Sequence, residues 1–245
     1  MRCAGSEIGR DEHCEPEIPK AHLGTRGTIW GLVELVPPSL RARVFAAKSI
    51  PFPGMLMFRE GIPPSWVDKV RANLGPLLVD HAHLERKAAT TAITLERYRC
   101  LYARVHELNA IAIEELQHFE LVLQLLKKRG MEFGQPVRSP WISGMMGAMR
   151  TGNHREQVID HLLVCALIEG RSCEKFQVLS RALQSAEPEL AAFYGSLVES
   201  EGNHYAAYLL MARHIDEAET DRRLDWFLDL DAKLMREPHS LPILH

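Results

Sequence analysis

The chain has 245 residues, of which 46% are hydrophobic and 25% are charged, and its formal net charge is −3. This length suits one large domain or two small ones, and the composition lacks the bias of a disordered chain. No apolar run approaches the roughly 18 residues that a membrane-spanning helix requires. The slight net acidity is not typical of a nucleic-acid-binding protein. We therefore expect a globular protein without a membrane anchor.

The first 20 residues carry charges of both signs and lack the apolar centre of a secretory signal peptide. We therefore expect a cytoplasmic protein. Five cysteines form an odd number with no CxxC pair, which argues against a disulfide framework and against a thiolate metal site. They are interpreted as reduced thiols.

Residues 1–60 are predicted to form a loosely structured arm. Stretches such as VPPSL, IPFPGM and EGIPPSW interrupt any regular pattern there, although one short helix is predicted near Ser39–Lys48. Beyond Pro63 the chain reads as almost entirely helical. We therefore place a single helical domain at residues 61–245.

Apolar residues in this domain recur at intervals of three and four, which is typical of amphipathic helices. A short helix is predicted at PPSWVDKV, a further helix near Trp141–Met149 and an acidic helix near Glu217–Leu234. Four long helices are predicted at approximately Pro76–Arg99, Tyr102–Arg129, His154–Gln184 and Pro188–His214. Gly130 is expected to end the second long helix. The predicted fold is all-α, a four-helix bundle with additional flanking helices.

Two of the long helices carry the same acidic and imidazole pair. The stretch EELQHFE places Glu115 three residues before His118, and SLVESEGNHYAAYLL places Glu201 three residues before His204. Positions i and i+3 share one face of a helix. A single such match has little meaning, but two matches in the middle of two long helices make the spacing informative.

An unpaired glutamate in the preceding helix accompanies each match. Glu85 precedes Glu115 by 30 residues, and Glu169 precedes Glu201 by 32. In an antiparallel helix pair of this length, the middle of one helix faces the middle of the next. Glu85 is therefore expected to face Glu115, and Glu169 to face Glu201, within the bundle core.

Four buried carboxylates without counter-charge would be very costly, and a pair of divalent metal ions would balance them. The predicted ligands are Glu85, Glu115, His118, Glu169, Glu201 and His204. This set resembles the di-iron or di-manganese carboxylate site of ferritin-like bundles, in which two helices each give a Glu and two give Glu-x-x-His. A purely structural polar core is the alternative.

Several neighbouring residues have open roles. His81 and His83 point about 200° apart on a helix, so they are not expected to form a joint metal site. His81 is interpreted as a surface histidine or, alternatively, as a partner of a metal ligand. Glu114 is expected to face solvent or to support a ligand. Ser172 and Cys173 could border a pocket, but core packing also explains them.

Four ordered blocks of the chain resemble the tRNA methylthio-isopentenyladenosine hydroxylases (MiaE-type). The blocks are LLVDHAHLERKAATTA, EELQHFELVLQLLKKRG, ALIEGRSCEKF and FYGSLVESEGNHYAAYLLMAR. The resemblance covers the chain from about Pro63 to the last helix, and it places the family's metal ligands on the same six residues. The chain departs from the expected pattern at Gly170 and at Gly202-Asn203, and its N-terminal arm is longer.

The resemblance implies a monomeric ferritin-like bundle with two iron ions and O2 as co-substrate. It further implies hydroxylation of the isopentenyl group of a hypermodified adenosine next to the anticodon in tRNA. The sequence has no dinucleotide-binding fingerprint and no iron-sulfur cysteine set, so a separate reductase is expected to supply the electrons.

A basic stretch between residues 120 and 155 has an excess of four positive charges and is the candidate tRNA contact. Ordinary solvated helix faces would explain it equally well. Its basic residues are Lys127, Lys128, Arg129, Arg138, Arg150 and Arg155.

Three other functions fit the same ligands. The first is a di-iron oxidase or hydroxylase that acts on a small-molecule substrate. The second is a ferritin-like iron-handling protein, and the third is a bundle whose polar core only sets the helix register.

Overall fold

The computed structural model describes residues 56–237 and 242–245. This part of the chain forms seven α-helices and one 3₁₀-helix, and it contains no strand. The predicted helix near Ser39–Lys48, and most of the predicted arm, lie outside the described residues. The helices are α1 (Pro64–Ala72), α2 (Leu74–Leu95), the 3₁₀-helix Arg99–Arg104, α3 (Val105–Lys128), α4 (Pro140–Gly147), α5 (His154–Ala182), α6 (Pro188–Ile215) and α7 (Glu217–Met235).

Local side-chain chemistry sets several helix ends. The side chain of Asn153 accepts hydrogen bonds from the first turn of α5, and Asp216 does the same for α7. Gly130 adopts φ = 64° just after α3, which confirms that it ends this helix. The largest boundary difference is at the end of α2, which stops at Leu95 and not at Arg99. Turn hydrogen bonds between residues three apart, such as Tyr98 N to Leu95 O, replace the helical pattern there.

The four long helices pack mainly as two antiparallel pairs, α2 with α3 and α5 with α6. Helix α7 packs outside them against α4, α5 and α6, and α1 contacts α2 and α5. The prediction of an all-α four-helix bundle with flanking helices is therefore confirmed. Within residues 56–237 and 242–245, no helix combines the length and the apolar character needed to cross a bilayer.

The interior of the bundle is divided by a polar layer. One apolar cluster contains the C-terminal end of α2 and the N-terminal parts of α3 and α5, with the C-terminal part of α6. A second cluster contains the opposite ends of the same four helices. The six predicted metal ligands lie between the two clusters along each helix. Each long helix therefore has apolar contacts on both sides of the ligands.

A buried ion pair fixes α7 to this bundle. The guanidinium of Arg171 in α5 donates from Nε to Asp231 Oδ1 at 2.9 Å and from Nη2 to the other carboxylate oxygen. Trp141 in α4 donates to the same carboxylate at 3.0 Å. Arg171 and Asp231 are both fully buried. Three helices thus share one desolvated carboxylate.

The segment 242–245 packs into the bundle between α1, α2 and α5. Trp66 donates to the carbonyl oxygen of Ile243 at 2.8 Å, and the backbone N–H of Leu244 donates to Asp80 at 2.8 Å. The side-chain nitrogen of Lys175 donates to the carbonyl oxygen of Leu244. These contacts bury Lys175 under the segment.

Candidate metal centre

The six predicted ligands converge in the polar layer of the bundle. Their side-chain atoms form two overlapping groups, in each of which the candidate ligand atoms lie within 4.8 Å of one another. Glu115 and Glu201 belong to both groups, so the two groups would share these carboxylates if each held an ion. All six residues are buried. The two groups are Glu85, Glu115, His118 and Glu201, and Glu115, Glu169, Glu201 and His204.

The i, i+3 spacing on α3 and α6 brings each imidazole towards carboxylates of neighbouring helices. His118 Nδ1 lies 3.6 Å from Glu201 Oε1 and 3.7 Å from Glu85 Oε2. His204 Nδ1 lies 2.6 Å from Glu115 Oε1. Both histidines therefore direct one ring nitrogen, Nδ1, into the cluster, where it could bind a metal ion.

The unsatisfied atoms of this layer fit a pair of metal ions. Both carboxylate oxygens of Glu115, Oε1 of Glu201, and Nδ1 of His118 and His204 are buried without a hydrogen-bond partner. The short distance between His204 and Glu115 does not satisfy hydrogen-bond geometry, so proximity alone does not pair these atoms. Buried polar groups without partners are costly, and metal coordination would satisfy all five atoms together.

The pKa shifts within the cluster also indicate a site suited to metal ions. Burial, together with the charge of Glu115, raises the pKa of Glu169 to about 8. Burial and three neighbouring carboxylates hold the pKa of Glu201 well above its usual value. Burial opposes protonation of His118, but contacts with Glu115 and Glu85 raise its pKa to about 10. The layer is thus strongly electronegative and suited to cations.

The ligands have distinct outer partners. His204 donates from Nε2 to Glu114 at 3.0 Å, and Nε2 of His118 lies 3.4 Å from the hydroxyl oxygen of Ser200. Such partners fix the ring orientation and tautomer of a metal-binding histidine. A carboxylate partner also makes the imidazole more basic than a hydroxyl partner does. The two groups of candidate ligands therefore differ in the partner that orients their histidine.

His81 also supports the cluster. It is fully buried, and its Nε2 contacts Glu85. The interpretation of His81 as a surface histidine is therefore wrong, and the alternative role as a partner of a metal ligand describes its position. The ring of Tyr194 stacks on His81, with centroids 5.5 Å apart. His83 instead contacts the carbonyl oxygen of Gly134 at 2.8 Å, away from the cluster.

The remaining residues with open roles lie elsewhere. Ser172 forms a hydrogen bond with His245 at 2.9 Å, and the thiol of Cys173 donates to the carbonyl oxygen of Val198. Both side chains therefore have hydrogen-bond partners within the protein interior. Ser200 was not predicted as a partner of the ligands, because no sequence motif distinguishes it from other helical serines.

The basic stretch divides between two ends of the bundle. At the end of α3, Lys128 contacts Glu189 at 2.5 Å and Arg129 contacts Glu187 at 2.6 Å. Lys127 is exposed and forms no ion pair within the described part of the chain. The carboxylates of Glu187 and Glu189 offset most of the positive charge at this end.

The opposite end of the bundle, near the C-terminal end of α6, contains two of the remaining basic residues. Arg150 contacts Asp160 at 2.7 Å and Glu219 at 2.6 Å, and Arg155 contacts Asp216 at 3.1 Å. Asp216 follows α6 and Glu187 precedes it, so the length of this 28-residue helix, about 42 Å, separates the two ends. Arg138 lies in the loop before α4 and donates to the hydroxyl of Ser143. The six basic residues do not form one continuous surface.

The fold and the site define a ferritin-like helical bundle with a buried cluster of carboxylates and histidines suited to two metal ions. A family model described as "tRNA-(MS[2]IO[6]A)-hydroxylase (MiaE)" matches residues 53–245. The chain belongs to this family.

Two curated relatives are named "tRNA 2-(methylsulfanyl)-N(6)-isopentenyladenosine(37) hydroxylase". The relative from Pseudomonas putida is 34% identical over 178 residues, which cover 72% of this chain and 85% of the relative. The relative from Salmonella typhimurium is 35% identical over 125 residues, covering 51% of this chain and 45% of the relative.

Among solved structures, the chain is similar to "Protein 43 with aldehyde deformylating oxygenase activity from Synechococcus". The sequence identity is 31% and the TM-score is 0.71. The similarity covers 77% of this chain and 94% of the Synechococcus chain. The bundle architecture is therefore shared with an oxygenase of different named activity.

Proposed function

We propose that the protein is an O2-dependent monooxygenase that hydroxylates the isopentenyl group of a hypermodified adenosine next to the anticodon of tRNA. The observation that carries the proposal is the buried cluster of four carboxylates and two imidazoles, in a chain of the tRNA hydroxylase family. We place its action in the cytoplasm and as a monomer.

Two iron ions in this cluster would supply the activation of O2. The residues that would hold them are the two overlapping groups of ligands, with Glu115 and Glu201 shared. In the overall reaction one oxygen atom is inserted into a C–H bond of the isopentenyl group and the other leaves as water. The balance requires two electrons and two protons, which we assign to a separate reductase and to solvent.

The surrounding residues have two tasks in this reaction. Glu114 and Ser200 orient the two imidazoles, so that each Nδ1 faces the cluster. The two apolar clusters exclude water from both sides of the polar layer, which protects a reactive oxidant from side reactions.

Contact with the tRNA backbone is also part of the proposal. Phosphate contacts would make the affinity depend on salt concentration. Among the basic residues of the stretch, Lys127 and Arg138 are the candidates without an acidic partner in the described part of the chain. The other four, Lys128, Arg129, Arg150 and Arg155, would have to exchange an existing ion pair for a phosphate.

A second candidate function is oxidation of a small molecule at the same metal site. The similarity to the Synechococcus protein supports this candidate, because that protein is named for activity on an aldehyde. A small substrate would need no phosphate contacts. Its turnover would therefore be insensitive to added tRNA.

The test is mass spectrometry of tRNA nucleosides from a host that makes the methylthio-isopentenyl nucleoside but cannot hydroxylate it. The host would express the full chain, its Glu115→Ala variant or its Glu120→Ala variant. Glu120 is an exposed glutamate on the same helix and serves as the matched control.

A mass gain of one oxygen with the wild-type chain and with Glu120→Ala, but not with Glu115→Ala, is the expected result. No gain from folded, iron-loaded wild-type protein would refute the tRNA substrate. Such a result would favour the small-molecule candidate.

A further inference from the structure

A cavity of about 410 Å³ connects the surface with the metal-ligand layer. It lies between α2, α4 and α5, with Tyr208 of α6 at its inner wall. Of the six predicted metal ligands, only Glu169 lines this cavity. A molecule that enters it would therefore approach the metal position that involves Glu169 and His204.

The exposure of the lining residues changes along the cavity. Cys165, Glu169 and Tyr208 are buried, whereas Met146 is 40% exposed. Arg86 and Lys87 are also exposed and lie on the same rim. The cavity is therefore a passage from a cationic rim to a buried inner end.

The chemistry of the walls changes in the same direction. Apolar side chains dominate the interior, and the inner end combines the Tyr208 ring with the Glu169 carboxylate. At the rim, Arg86 lines the cavity, and its guanidinium donates one hydrogen bond to His83 at 3.2 Å and stacks over Phe133, two residues outside the lining. An apolar group attached to a polyanion would match both ends.

We propose that this cavity binds the prenylated base, with the isopentenyl chain at the Glu169 end and backbone phosphates of the anticodon loop at Arg86 and Lys87. This inference rests on the proposed tRNA hydroxylation. Anticodon-loop bases are single-stranded, so one base can leave the stack at low cost. The cavity volume is at the small end for ligand pockets, which suits one base and its side chain.

The proposal assigns different roles to two groups of basic residues, those of the basic stretch and those at the cavity rim. Most members of the basic stretch between residues 120 and 155 lie at one or other end of the bundle, and four of the six have acidic partners. Arg86 and Lys87 instead lie on the rim of the passage to the metal layer. They can contact phosphate while the base occupies the cavity.

Two variants would obstruct the passage from facing walls, Thr91→Trp in α2 and Met146→Trp in α4. Leu210→Trp, at a site that is 51% exposed and outside the cavity, controls for an added indole. For the rim, Arg86→Ala/Lys87→Ala is compared with Lys233→Ala, an exposed lysine on α7.

The measurements are iron content, the rate of tRNA hydroxylation, and the affinity of the metal-free protein for prenylated and unprenylated tRNA. The two cavity variants are expected to keep wild-type iron content while kcat/KM falls about tenfold or more. They should also lose the preference for prenylated tRNA. The rim variant should weaken binding of both tRNAs and reduce the slope of log K against log salt by about 1.4.

Wild-type kinetics and wild-type preference for prenylated tRNA in both cavity variants would overturn the cavity assignment. An unchanged salt slope in the rim variant would overturn the phosphate contacts. An inactive wild-type protein would instead refute the proposed function itself, so the two failures are distinguishable.

Discussion

Replacing Asp231 by alanine is expected to destabilise the protein by about 3 kcal/mol. Asp231 balances the fully buried guanidinium of Arg171, and breaking a buried ion pair by removing one partner costs about 3–5 kcal/mol. Arg171 retains one other acidic contact, from its Nη1 to Glu174 at 2.5 Å. The loss should therefore lie at the lower end of this range, although Trp141 also loses its acceptor.

Guanidinium chloride denaturation of the metal-free protein measures this loss. The matched control is Asp221→Ala, which removes the partner of Arg213 from an ion pair of the same residue types, also between α7 and another helix. These two side chains are 50% and 35% exposed, so water screens the pair and its loss should cost less than about 1 kcal/mol.

A double variant tests the physical reason. Arg171→Met/Asp231→Leu removes both charges, and it should be more stable than Asp231→Ala alone because no unbalanced charge remains buried. The reasoning is refuted if Asp231→Ala costs no more than Asp221→Ala. It is also refuted if Arg171→Met/Asp231→Leu is less stable than Asp231→Ala.

Three further predictions concern packing, pH and metal affinity. Gly170→Ala should destabilise by about 1–3 kcal/mol in thermal or denaturant unfolding, because the new Cβ would lie 3.0 Å from the rings of Phe58 and Tyr205. Burial lowers the pKa of Lys175 from 10.5 to about 7. Between these values the unfolded chain binds this proton and the folded chain does not, so Lys175 should contribute a rise of up to about 1.4 kcal/mol per pH unit to the free energy of unfolding. Lys175→Met should therefore make the pH dependence of the free energy of unfolding less positive than that of the wild type by this amount, in denaturation curves recorded from pH 7 to 10. Glu114→Ala should weaken metal binding about 10–100-fold in competition with a chromogenic chelator, because His204 loses its partner.

Each of these predictions has its own control. Gly195→Ala introduces a methyl group 3.6 Å from its nearest neighbour, so it should not destabilise, and a loss equal to that of Gly170→Ala would contradict the packing argument. Equal pH slopes for the wild type and Lys175→Met would contradict the burial argument. Wild-type metal affinity in Glu114→Ala would contradict the role of Glu114 as the partner of His204. Glu120→Ala serves as the reference variant with unchanged metal affinity.

The bundle and the predicted ligand positions follow from patterns that repeat within the sequence. Helix periodicity depends on neighbouring residues, and the two Glu-x-x-His pairs with their preceding glutamates mark one layer of four helices. These patterns predicted the long helices to within a few residues at most ends. They also predicted the six residues that the structure brings together.

Contacts between distant residues could not be predicted in the same way. Arg171 and Asp231 are 60 residues apart, and nothing in either neighbourhood indicates the other. His81 was open to two interpretations because its burial depends on Tyr194, in another helix. The glycine at position 170, a departure from the expected family pattern, is explained by the close approach of Phe58.

The polar layer between the two apolar clusters has a consequence for folding cooperativity. In the metal-free protein this layer contributes unpaired polar atoms, so it is the weakest contact region between two well-packed halves. Metal ions that bind only the folded layer would add RT ln(1 + [L]/Kd) to its stability and couple the halves. Backbone amides of α5 near Glu169 would then exchange with solvent through local opening in the metal-free protein, and only through global unfolding in the loaded protein.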